Sequence, residues 1–72
     1  MVNINKLRGA IVERGMNIEA LADKIGMDRS TLYRRISDKK DAFTIREADA
    51  IARELNLSCA EATAIFFAQF VA

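Results

Sequence analysis

The chain has 72 residues, of which 51% are hydrophobic and 29% are charged, a balance typical of one small globular domain and not of a disordered chain. It contains no histidine, no proline and one cysteine, which argues against an enzyme or a metal site, excludes an internal disulfide, and leaves few turn residues for an all-β fold. The net charge is only +1, whereas a nucleic-acid-binding domain is typically more basic. No segment resembles a signal peptide or a membrane span, so we expect a cytoplasmic protein without a cofactor.

The first helix is predicted from its cap and its apolar spacing. Asn3 or Asn5 provides the N-cap, and the helix extends to about Arg14, where Gly15 ends it with a positive φ. One face of this helix carries the apolar residues Ile4, Leu7 and Ile11.

Two shorter helices follow. Asn17 caps the second, Gly26 ends it, and apolar residues occupy positions i, i+3, i+4 and i+7 of one face: Ile18, Leu21, Ala22 and Ile25. Asp28 caps the third, which extends to about Ile36 and is anchored in the core by Leu32 and Ile36. Residues 37–43 carry four charges and are predicted to be a loop.

Two capping boxes, with a Ser or Thr followed three residues later by Glu, open the fourth and fifth helices. They are Thr44 with Glu47 and Ser58 with Glu61. The fourth helix is expected to direct a set of apolar residues inward: Ile45, Ala48, Ile51, Ala52 and Leu55. In the first turn of the fifth helix, Cys59 is expected to be a small buried thiol.

The C-terminal segment 64–72 is apolar except for Gln69. A helix is predicted here in preference to a short strand, although periodicity does not distinguish the two for so short a run. As a helix, the segment has two i, i+4 pairs on adjacent faces, and only one pair is needed to complete the core. Because the other pair would stay exposed, we expect this segment to form an interface with a second copy or with a partner protein. The interface residues would be Ile65, Phe66, Phe67, Phe70 and Val71. The alternative is that all of these side chains cover a poorly filled core.

The second and third helices meet the sequence requirements of a helix-turn-helix. Ala22 is small where the helices cross, Gly26 tolerates a positive φ in the turn, and Leu32 is a core residue of the second helix of the pair. At about 100° per residue, an arc of about 140° on the third helix carries polar or basic residues, and Leu32 and Ile36 lie outside this arc. These residues are Arg29, Ser30, Tyr33, Arg34 and Ser37.

The distribution of charge along the chain supports a binding role for this face. Residues 29–40 contain five basic residues and one acidic residue, a net charge of +4, whereas the rest of the chain contains six basic and nine acidic residues, a net charge of −3. Such polarity orients a molecule toward a polyanion, and arginine suits both guanine edges and phosphates. The alternative is a solvated surface on which Tyr33 covers part of the core.

On these residues, positions 4–58 resemble the lambda-repressor-like (Cro/repressor, xenobiotic-response-element) helix-turn-helix family. Phe-Thr-Ile-Arg-Glu-Ala at 43–48 and Glu-Ala…Ile-Phe-Phe at 61–67 are similar to small Cro-like and modulator-of-repression proteins of temperate phages. The resemblance implies an all-α domain over residues 1–72, a compact bundle of about five helices. The third helix, about 28–36, would lie in the major groove of double-stranded operator DNA, with homodimers on palindromic sites.

Carried over by position, the resemblance implies base-reading roles for Arg29, Ser30, Tyr33 and Arg34. It implies phosphate contacts for Asn17, Lys39 and Lys40, and the helix N-terminal amides at Asn17 and Thr44 would add to phosphate binding. The chain departs from the family pattern at two positions. Ile18 stands where the family often has glutamine, and Arg35 stands where a buried apolar side chain is common, so that Ile36 takes the core role and Arg35 either reaches a phosphate or lays its stem along the core.

Two functions follow as expectations. The first is a sequence-specific DNA-binding regulator of a phage lysis/lysogeny switch, Cro-like or repressor-like. The alternative is an antirepressor or modulator that uses the same fold to bind a phage repressor protein, which the low net charge, Ile18 and the apolar tail favour. A purely structural bundle would leave the positive segment 29–40 unexplained.

Overall fold

The computed structural model describes residues 2–37 and 42–68, and within these ranges the chain forms five α-helices and no strand. In chain order the helices are α1 (Ile4–Glu13), α2 (Ile18–Ile25), α3 (Arg29–Ser37), α4 (Ile45–Glu54) and α5 (Cys59–Phe66). The predicted all-α class and the number of helices are confirmed. None of the helices in these ranges has the length and apolar character that crossing a membrane requires.

The caps explain where the helices begin and end. The Asn3 side chain accepts a hydrogen bond from the Lys6 amide at 3.1 Å, so Asn3 and not Asn5 is the first cap. Both predicted capping boxes are complete, at Thr44 with Glu47 and at Ser58 with Glu61. The chain turns after α1 and α2 at glycines with φ of +68° and +71°, Gly15 and Gly26.

The core lies where α2 packs against α3 and α4, and where α1 packs against α5. Every helix contributes to it, and five side chains are fully buried: Leu7, Leu21, Leu32, Ile51 and Leu55. Ala22 is also fully buried, as expected of the small residue at the crossing of α2 and α3. The predicted anchors of α3, Leu32 and Ile36, are both buried.

Two contacts join the beginning of the fold to its end. The Asn3 amide donates to the Ile65 carbonyl at 2.7 Å, which ties the start of α1 to the end of α5. The Arg14 side chain donates from Nε to the Leu55 carbonyl at 2.7 Å and from Nη2 to the Glu61 carboxylate at 3.1 Å. Arg14 therefore bridges the end of α1 to the end of α4 and to α5.

Two buried positions were predicted wrongly. Ile45 is 81% exposed, because it is the first residue of α4 and projects about 100° away from the mean direction of Ile51 and Leu55. Cys59 is exposed, because it lies in the first turn of α5 whereas the buried residues of α5, Ile65 and Phe66, lie in its last turn.

The C-terminal helix is shorter than predicted. It ends at Phe66, since Phe67 leaves the helical region with φ −125° and ψ 41°. The Phe66 ring meets the Phe43 ring edge to face, with centroids 5.8 Å apart and planes at 80°, and this contact places Phe66 in the core. Residues 69–72, which the prediction included in the helix, lie outside the described residues.

Candidate nucleic-acid interface

The segment from α2 to α3 has the geometry of a helix-turn-helix. Gly26 adopts φ +71° and ψ 27°, and the following amide, that of Met27, donates to the Ala22 carbonyl at 2.9 Å. These contacts end α2 and redirect the chain, and Asp28 then starts α3 by accepting from the Ser30 amide at 3.2 Å. The buried residues Ala22 and Leu32 fix how the two helices pack.

The polar face predicted for α3 is exposed. All of its five members are exposed, while Leu32 and Ile36 are buried. Four of them are the residues to which we assign base reading, and we call Arg29, Ser30, Tyr33 and Arg34 the recognition face. Tyr33 is 44% exposed. The exposure of the face is thus as expected, and its contact with DNA stays a prediction.

The side chain of Arg29 is held by an acidic residue of α2. Its Nε and Nη2 atoms donate to the two carboxylate oxygens of Asp23 at 3.1 and 2.6 Å. These bonds hold the pKa of Asp23 below its ordinary value and raise the pKa of Arg29, so the pair is ionised at neutral pH. Both side chains are more than half exposed, which leaves the pair accessible to a ligand.

Two other members of the face also have acidic partners. The Tyr33 hydroxyl donates to Glu19, one turn before Asp23 on α2, and this bond raises the pKa of Tyr33. The Ser30 hydroxyl is 3.1 Å from each carboxylate oxygen of Asp28. The face is therefore covered by a network of donors and carboxylates and is not a purely basic surface.

Arg35 connects α3 to α4. Its Nε and Nη2 atoms donate to the two carboxylate oxygens of Glu47 at 3.1 and 3.0 Å, and each of the two side chains is only 19% exposed. Glu47 is also the capping-box residue that accepts from the Thr44 amide at 2.8 Å. The pKa of Glu47 is lowered chiefly by Arg35 and further by the Thr44 amide. Two roles were left open for Arg35, a phosphate contact or packing of its stem along the core. In the structure, its guanidinium binds Glu47.

The remaining predicted phosphate contacts are exposed or lie outside the described residues. Asn17 and Thr44 are exposed, and each serves as an N-cap, Asn17 by accepting from the Ala20 amide at 2.8 Å. Lys39 and Lys40 lie in the segment 38–41, outside the described residues.

The residues of the predicted apolar interface differ in their exposure. Ile65 and Phe66 are 3% and 7% exposed and belong to the core of the monomer, so neither presents a surface to a partner. Phe67 is 45% exposed. Phe70 and Val71 lie outside the described residues.

Sequence reasoning missed the two carboxylates that face α3. Glu19 and Asp23 are four residues apart, so they lie on one side of α2, and this spacing is visible in the sequence. The spacing does not show that this side of α2 faces Arg29 and Tyr33, because that depends on how the two helices cross.

A family model described as helix-turn-helix matches residues 6–61. The match covers most of the chain, from α1 into α5, and includes the whole of the α2–turn–α3 unit. No curated protein and no solved structure matches the chain.

Proposed function

The chain belongs to the lambda-repressor-like helix-turn-helix family, and on this basis we propose that it is a sequence-specific DNA-binding regulator of transcription. In this proposal α3 lies in the major groove of an operator, and the recognition face contacts base edges. The observation that carries it is the exposure of Arg29, Ser30, Tyr33 and Arg34 on the second helix of the motif, with the opposite side of that helix buried.

The proposal assigns the flanking residues to the phosphate backbone. Asn17 lies at the start of α2 and Thr44 at the start of α4, where helix amides attract anions, and Lys39 and Lys40 follow α3 in the sequence. Arg35 reaches a phosphate only if it shares its guanidinium with Glu47. We propose a homodimer with half-sites about one helical turn apart, and a role in a phage lysis/lysogeny switch, which rests on the similarity of residues 43–48 and 61–67 to small phage proteins.

A second candidate function is an antirepressor or modulator that binds a phage repressor protein. The acidic partners of the recognition face favour it, because Asp23 and Glu19 offset part of the positive charge that attracts DNA. A protein partner would pair with such a mixed surface as readily as with a basic one.

A titration separates the two functions. The purified chain is added to the intergenic DNA next to its own gene, with and without the repressor encoded beside it. A shift of the DNA by the chain alone supports the regulator. A chain that shifts no DNA but removes the shift caused by the repressor supports the modulator.

A further inference from the structure

Two acidic residues of α2 pair with two hydrogen-bond donors of α3. Asp23 and Glu19 lie one turn apart on the same side of α2, and they bind Arg29 and Tyr33, which lie one turn apart on the same side of α3. Two carboxylates of one helix thus hold two donors of the next. All four residues lie outside the hydrophobic core.

The contact with Asp23 uses one edge of the Arg29 guanidinium. That edge consists of Nε and one N–H of Nη2. The other edge, with Nη1 and the second N–H of Nη2, forms no hydrogen bond with any residue of 2–37 or 42–68. Two parallel N–H groups are what a guanine requires at O6 and N7, so Arg29 keeps a complete base-reading edge while Asp23 holds the adjacent one.

We propose that Asp23 is a specificity-determining residue of the DNA interface, acting by positioning Arg29. Asp23 fixes the guanidinium of Arg29. The edge with Nη1 and the second N–H of Nη2 is then presented to one base in one orientation, and the side chain does not turn to the nearest phosphate. The proposal rests on the DNA-binding function proposed above.

The hydrogen bonds of Asp23, and not its charge alone, raise specificity. A carboxylate close to the DNA backbone is repelled by every phosphate, whatever the base sequence, so this repulsion lowers the affinity for all duplexes alike. By holding Arg29, Asp23 also prevents a phosphate contact that any sequence would offer, while it leaves the second edge of the guanidinium for one base. The carboxylate therefore weakens non-specific binding more than operator binding.

The test compares specific with non-specific affinity. The parent protein is used to select a duplex from a randomised DNA pool, and its affinity for this duplex is measured beside its affinity for a shuffled duplex of equal length and composition. Asp23→Asn keeps the shape of the side chain but removes its charge and one of the two acceptors. We expect the ratio of the two affinities to fall about fivefold or more, with tighter binding of the shuffled duplex.

Two controls make the result specific to this contact. Asp49→Asn removes the same charge from an exposed pair with Arg53 on α4, and it should leave the ratio within about twofold of that of the parent. In an Arg29→Ala background, Asp23→Asn should no longer change base preference, because the side chain that Asp23 orients is gone.

The outcomes that overturn the proposal are distinct. If the parent selects a duplex and Asp23→Asn keeps the same affinity ratio, Asp23 has no role in specificity, although the DNA-binding function stands. If the Asp23→Asn change persists in full without Arg29, it does not act through this contact. If the parent selects no duplex at all, the proposed function fails and the inference fails with it.

Discussion

At the scale of single residues, arginines from several of the helices pair with carboxylates. Arg14 binds Glu61, Arg29 binds Asp23, Arg35 binds Glu47 and Arg53 binds Asp49. The Arg35–Glu47 pair is the most buried of them, and the exposed pairs contribute little to stability because water and salt screen them. Their importance lies instead in orientation, since a paired guanidinium occupies fewer positions than a solvated one.

The stability of the fold should depend on pH through Glu47. Its pKa in the folded protein is below the ordinary value of 4.5, so its stabilising contacts are fully present above about pH 5 and are lost as the pH falls through the folded pKa. Urea unfolding from about pH 6 to pH 3 should show a larger loss of unfolding free energy for the parent than for Glu47→Gln. Glu13→Gln, at an exposed site, should follow the parent, and equal curves for all three proteins would contradict this role of Glu47.

The roles of base reading and phosphate binding should separate in mutants. Arg34→Ala should cost about 1 to 3 kcal/mol of operator binding and relax the preference at one base pair. Lys39→Ala should weaken binding to all duplexes similarly and flatten the dependence of affinity on salt. Fluorescence anisotropy at several salt concentrations measures both effects, with Arg53→Ala on α4 as the matched loss of charge. Operator binding by Arg34→Ala equal to that of the parent would show that Arg34 does not read bases.

At the scale of elements, the turn between α2 and α3 determines where the recognition face lies. Gly26 has a φ of +71°, and apart from its two neighbours in the chain no residue of 2–37 or 42–68 has an atom within 4 Å of the position that a Cβ would occupy. A side chain at this position would therefore cost conformational energy but would not clash with a neighbour.

Gly26→Ala should destabilise the protein by about 1 to 2 kcal/mol, which is the cost of the left-handed conformation for a residue with a Cβ. Gly9→Ala is the matched control. Gly9 lies inside α1 with open space around it, so alanine there should stabilise the fold by about 0.5 to 1 kcal/mol. Thermal and urea unfolding measure both changes. A Gly26→Ala protein as stable as the parent would show that this turn tolerates other backbone conformations.

The elements also show what the sequence could predict. Helix starts were predicted well, because a cap such as Thr44 and its partner Glu47 lie within one turn of each other. Burial at the ends of helices was predicted poorly, as at Ile45, because it depends on which element packs against that turn. The bond between Asp23 and Arg29 was not predicted at all, since it depends on the crossing of two helices and not on the spacing along either.

At the scale of the whole molecule, the proposed homodimer requires an interface between two copies. The proposed operator has two half-sites, so the regulator needs a two-fold interface, and the described residues leave Phe67 as the exposed member of the predicted apolar set. Removing the chain from Ile65 onward would also remove two core residues, so a point substitution tests the interface more cleanly.

If the proposed homodimer forms through the apolar tail, Phe67→Ser should raise its dissociation constant, because burial of the Phe67 ring at the interface is lost. Sedimentation equilibrium measures this change over a range of protein concentrations. Val12→Ser is the matched control, since Val12 is 72% exposed on α1 and lies outside the apolar tail. Equal dissociation constants for Phe67→Ser and the parent would place the interface elsewhere.

The bond from the Asn3 amide to the Ile65 carbonyl has a consequence for dynamics. It joins residues far apart in the chain and lies where α1 packs against α5, so we expect it to open together with that packing and with the core which both helices share. The Asn3 amide proton should therefore exchange with deuterated solvent as slowly as the amides of the buried leucines, although it precedes the first helical turn. Native-state hydrogen exchange would then find one cooperative unit that includes both outer segments of the fold, with no independently fraying N-terminal helix.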